Sequence, residues 1–343
     1  MSTMPSTQCI ICDGTLQGIE FPRIAGYRFV AEAIEPIQLP LYTGSAWRGL
    51  LAGTAKRLFC GTGTLACDGC ALWSNCAYHA VFELPPRDRN GRPPVLSHPY
   101  LLQVPSPKAR TLSPGEPLEI GITLIGAAHA LLPNLAYTLL QAGQVGLAKG
   151  RGRFQLRRVL RERVLGGGEW IDILADGRPV PVSEDSQPLR CPAPIDPILI
   201  QLETPLRLQR KMTAAGRSEL VGVEQFDGAV FLHNLVRRLE TLARDFGTGF
   251  DPAPWRSLRA AIPQQHPLLD ADLQWWDWSR YSSRQERTMK LGGITGRFSL
   301  DLSSAPALWP CLWLGQWVHV GKATSFGLGR YCIAGLDASQ STS

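Results

Sequence analysis

The feature that most constrains the fold is a plan of elements that occurs twice along the chain. Each half begins with a strand-like segment and a helix, and then reaches a second strand, a helix-like segment and a glycine-rich basic loop. In the first half these are 27–40, 42–59, 117–126, 134–146 and 147–153, and in the second 196–209, 226–247, 289–303, 306–320 and 321–330. The repetition lies in the pattern rather than in the residues. It predicts an α+β protein with two tandem ferredoxin-like (RNA-recognition-motif-like) domains.

Length and local composition place the domain boundaries. At roughly 100–200 residues per domain, 343 residues correspond to two domains. A proline-rich polar segment at 177–194 is the predicted linker. We therefore expect a flexible tail at 1–20, a first domain at 21–176 with a cysteine-rich insertion at 60–83, and a second domain at 195–338.

Composition narrows the class of protein. The hydrophobic fraction of 44% is sufficient for a folded core, and the net charge of +6 favours a polyanionic partner. Apolar runs are shorter than the roughly 18–20 residues of a membrane span, and the first residues lack the basic start and apolar core of a signal peptide. We therefore predict a cytoplasmic protein with no membrane partner, in which the nine cysteines are thiols or metal ligands.

Four of these cysteines lie within 17 residues, in the stretch CGTGTLACDGCALWSNC. Their spacing is C-x6-C-x2-C-x5-C, and the metal-ligand candidates are Cys60, Cys67, Cys70 and Cys76. A C-x2-C pair directs two thiolates into one site, and two further thiolates complete a tetrahedral structural zinc centre. Free or buried thiols and an iron–sulfur cluster are the alternatives. A second C-x2-C, Cys9 and Cys12, has no further cysteine nearby.

Aromatic and basic residues are concentrated between Trp275 and Gly293. Bases stack on aromatic rings and phosphates bind arginine, so the stretch is a candidate for single-stranded RNA binding. Its candidate contacts are Arg280, Tyr281, Arg284 and Lys290. Alternatively, the tryptophans belong to the core and the arginines to a solvated edge, where Asp277 and Glu286 would pair with some of them.

The two glycine-rich basic loops occupy equivalent places near the end of each half. The first carries Lys149, Arg151 and Arg153, and the second, VGKATSFGLGR, carries Lys322 and Arg330. Because Gly-Lys comes first in the second loop, it departs from the nucleotide-binding pattern G-x-x-x-x-G-K-[ST]. We expect it to meet an RNA phosphate through backbone N–H groups, with Lys322 nearby.

The six histidines are the natural acid–base groups near neutral pH. His319 stands on the segment that leads into the second glycine loop. Strand alternation places it opposite Val318 and Val320, and therefore towards RNA or solvent if those valines are core. The sequence has no serine-hydrolase, zinc-protease or dinucleotide motif.

The chain resembles the RAMP superfamily of CRISPR RNA-binding proteins, and more narrowly its repeat-processing endoribonucleases, as a variant with a cysteine cluster in the first domain. The matching pieces span residues 42 to 331: YTGSAWRG with Arg48, CDGCALWSNCAYHAVFE, GLAKGRGRF, DWSRYSSRQERTMKLGGITG and VHVGKATSFGLGRY. The resemblance implies two ferredoxin-like RNA-binding domains, with Arg48 among the RNA-binding residues.

The resemblance also implies a reaction and partners. Such enzymes cut precursor CRISPR RNA within repeats without a catalytic metal, by attack of a 2′-OH that leaves a 2′,3′-cyclic phosphate and a 5′-OH. Guide RNA is often retained and passed to subunits of a CRISPR effector complex. One alternative is a non-catalytic RAMP subunit that binds guide RNA, and another is a zinc-stabilised structural adaptor.

The catalytic candidates follow from the same resemblance. The family's usual histidine lies near the end of the first helix, where this chain has Lys56 and no histidine. His79, just past the cysteine cluster, with Tyr42 or Lys56 is the first-domain candidate set. His233 and His319 with Lys322 form the second-domain set.

Overall fold

The structure is a computed structural model. It describes residues 10–11, 15–16, 19–64, 67–84, 97–105, 107–180, 189–211, 218–282 and 287–336; at 10–11, 15–16, 20, 189–190, 211, 279–282 and 287–291 it describes the backbone alone.

The first half forms an antiparallel sheet on which one layer of helices packs. Its strands are β1 (Ile24–Ala33), β2 (Tyr100–Gln103), β3 (Pro117–Ile125), β4 (Phe154–Glu162), β5 (Trp170–Ala175) and β6 (Arg178–Pro179). They lie in the order β6-β5-β4-β1-β3-β2, so the central four have the 4-1-3-2 order of a ferredoxin-like domain. Alternation explains β1, because Tyr27, Phe29 and Ala31 are buried on one face.

The second half repeats this topology. Its strands are β7 (Ile198–Leu206), β8 (Leu269–Ser282), β9 (Arg287–Leu300) and β10 (Tyr331–Ile333), in the antiparallel order β8-β9-β7-β10. Numbered within the domain, this order is 2-3-1-4, which is the 4-1-3-2 order of the first domain read from the opposite edge. The predicted pair of ferredoxin-like domains is therefore confirmed. Strands β8 and β9 form a long hairpin, paired from Leu269 with Ser299 to Ser282 with Arg287.

In the described ranges, six α-helices connect these strands. They are α1 (Gly44–Phe59), α2 (Ala77–Phe82), α3 (Leu132–Val145), α4 (Gly228–Phe246), α5 (Pro252–Ala260) and α6 (Trp309–Val318). Helix α4 begins where Asp227 accepts the Val230 N–H at 2.7 Å, and α5 where Asp251 accepts the Ala253 N–H at 2.8 Å. None of the helices in the described ranges is long and apolar enough to cross a membrane.

The two domains share their cores. Leu101 and Ile125 of the first sheet belong to the apolar cluster of the second domain. In return, Leu328 lies in the first-domain cluster, and Trp276 and Trp278 of the long hairpin pack against it. The hairpin therefore reaches across from its own sheet, and both domains contribute to the junction between them.

Several local details differ from the expectations. Thr43 precedes α1, and it makes no side-chain cap hydrogen bond. Short strands occur within the predicted tail and linker, where Ile10–Ile11 pairs with Leu189–Arg190. On α1, Trp47 and Leu51 are buried, whereas Leu58 is exposed.

Candidate nucleic-acid interface

The second glycine loop, residues 319–330, lies between α6 and β10. Gly321 and Gly329 have φ values of 89° and 75°, and a Cβ on either would collide with a carbonyl oxygen, of Arg207 or of Val320. Most backbone N–H groups of the loop donate inside the protein; for example, the N–H of Lys322 bonds Arg207 O at 2.8 Å and that of Gly329 bonds Pro205 O at 3.0 Å. These N–H groups are therefore already bonded within the protein, whereas the expected contact of the loop with an RNA phosphate stays a prediction.

The loop instead connects the two domains. The Tyr42 hydroxyl, just before α1, donates to Phe326 O at 2.7 Å, and the buried Thr204 hydroxyl of β7 donates to Gly327 O at 2.8 Å. Gly44, the first residue of α1, packs so closely on the Phe326 carbonyl that a Cβ would not fit. The glycine loop is consequently held from one side by the first domain and from the other by the second.

Exposed cations remain on the rim of this junction. Lys322 is exposed, and the pKa of its ammonium is lowered by partial burial and then by the charge of Arg237 on α4. One turn before Arg237 on the same helix, His233 is also exposed. We call His233, Arg237 and Lys322 the α4–loop surface. It is the part of the junction that presents positive charge to solvent.

Arg330, the last cation of the loop, points into a cleft between the sheets. Its guanidinium pairs with Glu203 at 2.7 Å. The same cleft has a volume of about 260 Å³ and is also lined by Glu162 and Trp170. The Glu162 carboxyl is buried, and this burial raises its pKa. The Arg28 guanidinium lies 4.2 Å from the centre of the Trp170 ring. Two carboxyl groups make this cleft less favourable for a phosphate than the α4–loop surface.

The first glycine loop also packs on its own domain. Gly152 lies against Pro36 and Ile37, and the backbone of Lys149 forms an antiparallel β-bridge with that of Gln38. Lys149 and Arg151 are exposed, whereas Arg153 pairs with Glu35 at 2.7 Å. Like its counterpart, this loop follows a helix and precedes the last ferredoxin strand of its domain, here α3 and β4.

The aromatic-basic stretch lies on the long hairpin. The rings of Trp276 and Trp278 stack with their centres 6.0 Å apart, and the centres of the Trp278 and Tyr42 rings are 4.5 Å apart. These two rings pack as part of the junction, which is the alternative considered from the sequence, while Trp275 is 37% exposed. Arg280, Tyr281 and Lys290 fall on the strands of the hairpin; their side chains, and the whole of Arg284, lie outside the described residues.

A polar cluster near the start of α1 was not predicted from the sequence. Arg48 lies over the Phe326 ring at 5.5 Å and donates to Phe82 O at 3.4 Å. His98 lies close to the charges of Arg48 and Arg238, and burial followed by Arg48 lowers its imidazole pKa to about 4. The largely buried Arg238, whose pKa is lowered by burial to about 10, donates to the Ser97 hydroxyl at 2.7 Å. No motif surrounds His98 or Arg238, and only tertiary folding brings them together.

The four cysteines of the insertion are free thiols and half-buried. Cys76 Sγ lies 3.9 Å from Phe59 O, at the end of α1. Burial raises the pKa of Cys67, and the nearby Cys60 and Cys76 raise it further. Among the described side chains, no three of the His, Cys, Asp or Glu type lie close enough together to hold a metal. Cys9 and Cys12 are outside the described part of the chain.

Two family models match successive parts of the chain. One, described as the N-terminal domain AF_1859_N, matches residues 21–185, and the other, CRISPR-associated endoribonuclease Cas6, matches residues 200–331. The second match contains the glycine loop, α4 and the long hairpin. Residues 200–331 therefore resemble the Cas6 family in sequence.

Solved Cas6 structures share the fold of the whole chain. A Thermus thermophilus Cas6 product complex matches with a TM-score of 0.53 at 17% identity, over 90% of this chain and 98% of that one. A chain of a partial Cas6-RT-Cas1–Cas2 complex matches with a TM-score of 0.54 at 16% identity; the match covers 94% of this chain and 47% of the other. At these identities the likeness establishes the fold.

One curated relative covers nearly the full length. It is an uncharacterized protein of Archaeoglobus fulgidus, 21% identical over 301 residues, which are 86% of this chain and 92% of the relative. The correspondence therefore extends over both domains, beyond the part matched by the Cas6 model.

The first-domain catalytic candidates lie at opposite ends of α1. Tyr42 precedes the helix and Lys56 is in its last turn, and the helix rises roughly 18 Å from its first residue, Gly44, to Lys56 at 1.5 Å per residue. The Tyr42 phenol is buried, and that burial raises its pKa. Its hydroxyl donates a hydrogen bond to Phe326 O. His79 lies near the Lys56 end, because Lys56 contacts the ring of Tyr78 at 5.6 Å.

His79 is only 6% exposed, and burial lowers its imidazole pKa, so the ring is neutral near pH 7. It packs against Trp73 at 5.4 Å. The first-domain set is thus divided between a packed histidine with Lys56 at one end of α1 and a packed tyrosine at the other.

In the second-domain set, His319 does not face solvent as predicted. It follows the last residue of α6, has a left-handed φ of 55° and is fully buried. Burial and the charges of Arg330 and Arg238 lower its pKa far below the usual value. The alternation argument fails because residues 309–318 are helical. His233 and Lys322 remain together on the α4–loop surface.

Replacing Tyr42 by Phe tests the role of the domain junction. The change removes one hydroxyl and leaves the Phe326 carbonyl without this donor, so we expect the free energy of unfolding in urea to fall by about 1–2 kcal/mol. Tyr137→Phe, at a 48% exposed position, is the control and should change it by less than about 0.5 kcal/mol. Equal effects of the two substitutions would contradict the role assigned to Tyr42.

Proposed function

We propose that the protein is a metal-independent endoribonuclease that cuts precursor CRISPR RNA within repeats and retains the guide RNA for an effector complex. The observation that carries the proposal is the glycine loop of the Cas6 domain, held between two ferredoxin-like domains with the α4–loop surface on its rim. Relatives of the same fold are described as Cas6 product complexes. Positive charge at a rigid junction is suited to holding an RNA backbone in one register.

The reaction needs a base, an acid and cations, but no metal. The base removes the proton of the 2′-OH, whose oxygen forms a bond to the adjacent phosphorus while the bond to the 5′ oxygen breaks. The acid protonates that leaving oxygen. The products are a 2′,3′-cyclic phosphate and a 5′-OH. Cations near the phosphate offset the extra negative charge of the transition state.

We assign the base to His233 and the charge stabilisation to Lys322 and Arg237. His233 is exposed, so RNA can reach it. Partial desolvation lowers the pKa of its imidazole. The charge of Asp227 raises that pKa, and the charges of Arg237 and Arg259 lower it further. The neutral form, which can accept a proton, therefore predominates near pH 7. His79 and His319 are buried and contact other protein groups.

A second candidate function is guide-RNA binding without cleavage. The observation in its favour is that three of the six histidines, His79, His266 and His319, are buried, and that Tyr42 uses its proton within the junction. In this case the α4–loop surface would bind RNA and His233 would be one more polar contact.

Salt-dependent binding tests the assignment of cations. Lys322→Ala should weaken binding of repeat RNA and lower the slope of log K against log salt by about 0.7–1, because one phosphate contact is lost. Arg330→Ala should have a smaller effect, because Glu203 already neutralises Arg330. Arg178→Ala, on an edge strand of the first sheet, is the control. Larger losses for Arg330 or Arg178 than for Lys322 would contradict the assignment.

Cleavage of repeat RNA separates the two functions. We expect a single cut in a buffer with EDTA and no added divalent metal, with a 2′,3′-cyclic phosphate that resists ligation until it is opened and a product that co-elutes with the protein. His233→Ala should reduce the single-turnover rate by about 10²–10⁴ while binding is retained, with His79→Ala and His98→Ala as comparisons.

The possible failures are distinct. Binding without any specific cut supports the guide-binding function and contradicts the enzyme. If His233→Ala keeps the full cleavage rate and His79→Ala or His98→Ala loses most of it, the base lies in the first domain. This result contradicts the assignment of His233 but not the endoribonuclease function.

A further inference from the structure

The segment between α1 and α2 turns inward only at its four cysteines. In the described residues from 61 to 75, every side chain other than Cys67 and Cys70 is exposed, including Leu72 at 53% and Trp73 at 39%. Cys60 and Cys76, at the two ends, are likewise half-buried. Apolar burial normally offsets the conformational entropy lost when a segment becomes ordered. Here Leu72 and Trp73 keep much of their surface exposed, although Trp73 packs on His79, so apolar burial does little to hold the segment together.

The backbone brings the ends of this segment together. Cys60 directly follows α1 and its N–H donates to Lys56 O at 3.0 Å, while Cys76 directly precedes α2 and its O accepts the Ala80 N–H at 2.9 Å. The 3.9 Å between Cys76 Sγ and Phe59 O shows that the two helix ends meet. Two of the four thiols therefore stand at the base of the loop, where the helices are already in place.

The other two thiols lie on a tight turn. The Cys70 N–H donates to Cys67 O at 3.2 Å, and Gly69 between them has a φ of 73°, which a residue with a side chain rarely adopts. Such a turn places two sulfur atoms on the same side of the backbone. Cys67 and Cys76 also both pack against the first-domain core, so the turn and the base of the loop contact the same apolar cluster.

We propose that Cys60, Cys67, Cys70 and Cys76 bind one structural zinc ion that joins the end of α1 to the start of α2. Four thiolates form a closed tetrahedral site typical of structural zinc, with no position left for substrate. Closing the site requires the exposed turn at Cys67–Cys70 to approach Cys60 and Cys76.

Lys56, in the last turn of α1, lies within electrostatic reach of Cys60 and Cys67 and offsets part of the negative charge of four thiolates. This gives Lys56 a role at the metal site rather than at RNA. By securing the end of α1, the ion would also keep its start, with Tyr42 and Arg48, in register with the glycine loop. The site stands independently of the proposed cleavage.

Metal analysis of the purified full-length chain, without added metal or affinity-tag histidines, is the first test. We expect about one zinc per chain, lost in the Cys67→Ser/Cys70→Ser variant and retained in the control Cys332→Ser, whose cysteine lies in β10. Iron with sulfide, disulfides among the four cysteines by mass spectrometry, or a natively folded chain without metal would each overturn the proposal.

A second measurement covers the case in which the double serine variant does not fold. After the wild-type protein has been stripped of metal by a chelator, titration with Co²⁺ should produce the visible absorption of tetrahedral cobalt thiolate, saturating at one equivalent, and added Zn²⁺ should abolish it. Limited proteolysis should cut within 60–76 in the stripped protein and spare the zinc-loaded one. Absence of the cobalt spectrum, or equal proteolysis with and without zinc, contradicts the site.

Discussion

The structure depends on the contact between the glycine loop and both domains. Phe326 O accepts a hydrogen bond from Tyr42, while the neighbouring Gly327 O accepts one from Thr204, so adjacent carbonyl groups bind opposite domains. The loop reaches this position because Gly321 and Gly329 allow left-handed backbone and close approach. If the contact were lost, the two ferredoxin-like units would still have their sheets, but the α4–loop surface would no longer be fixed relative to α1.

Ion pairing divides the cations of the two glycine loops and of α4 into two groups. Arg330 and Arg153 are engaged by carboxylates, Glu203 and Glu35, and thus serve mainly to hold the fold. Lys322 and Arg237 face outward on the rim, where a phosphate can reach them. The modest net charge of +6 therefore matters less than which cations remain available on one surface.

The fold was predictable because its signals are local. The alternation of Tyr27, Phe29 and Ala31 and the repeated order of elements in the two halves were sufficient for the tandem ferredoxin-like prediction. The candidate site was less predictable because it depends on contacts distant in sequence. His319 was assigned to a surface by strand alternation, yet α6 ends beside it and a left-handed turn buries it. The packing of Trp278 on Tyr42, and of His98 near Arg238, likewise arises only when the domains meet.

If RNA is held at the glycine loop and α4, photo-cross-linking of bound RNA will detect the contact. Repeat RNA carrying 4-thiouridine at each uridine in turn would be irradiated with the full-length protein, and the cross-linked peptides mapped by mass spectrometry. The account predicts cross-links in residues 319–330 and on the exposed face of α4 around His233 and Arg237. Cross-links confined to the cleft around Glu203 and Glu162, with none on α4 or the loop, would contradict it.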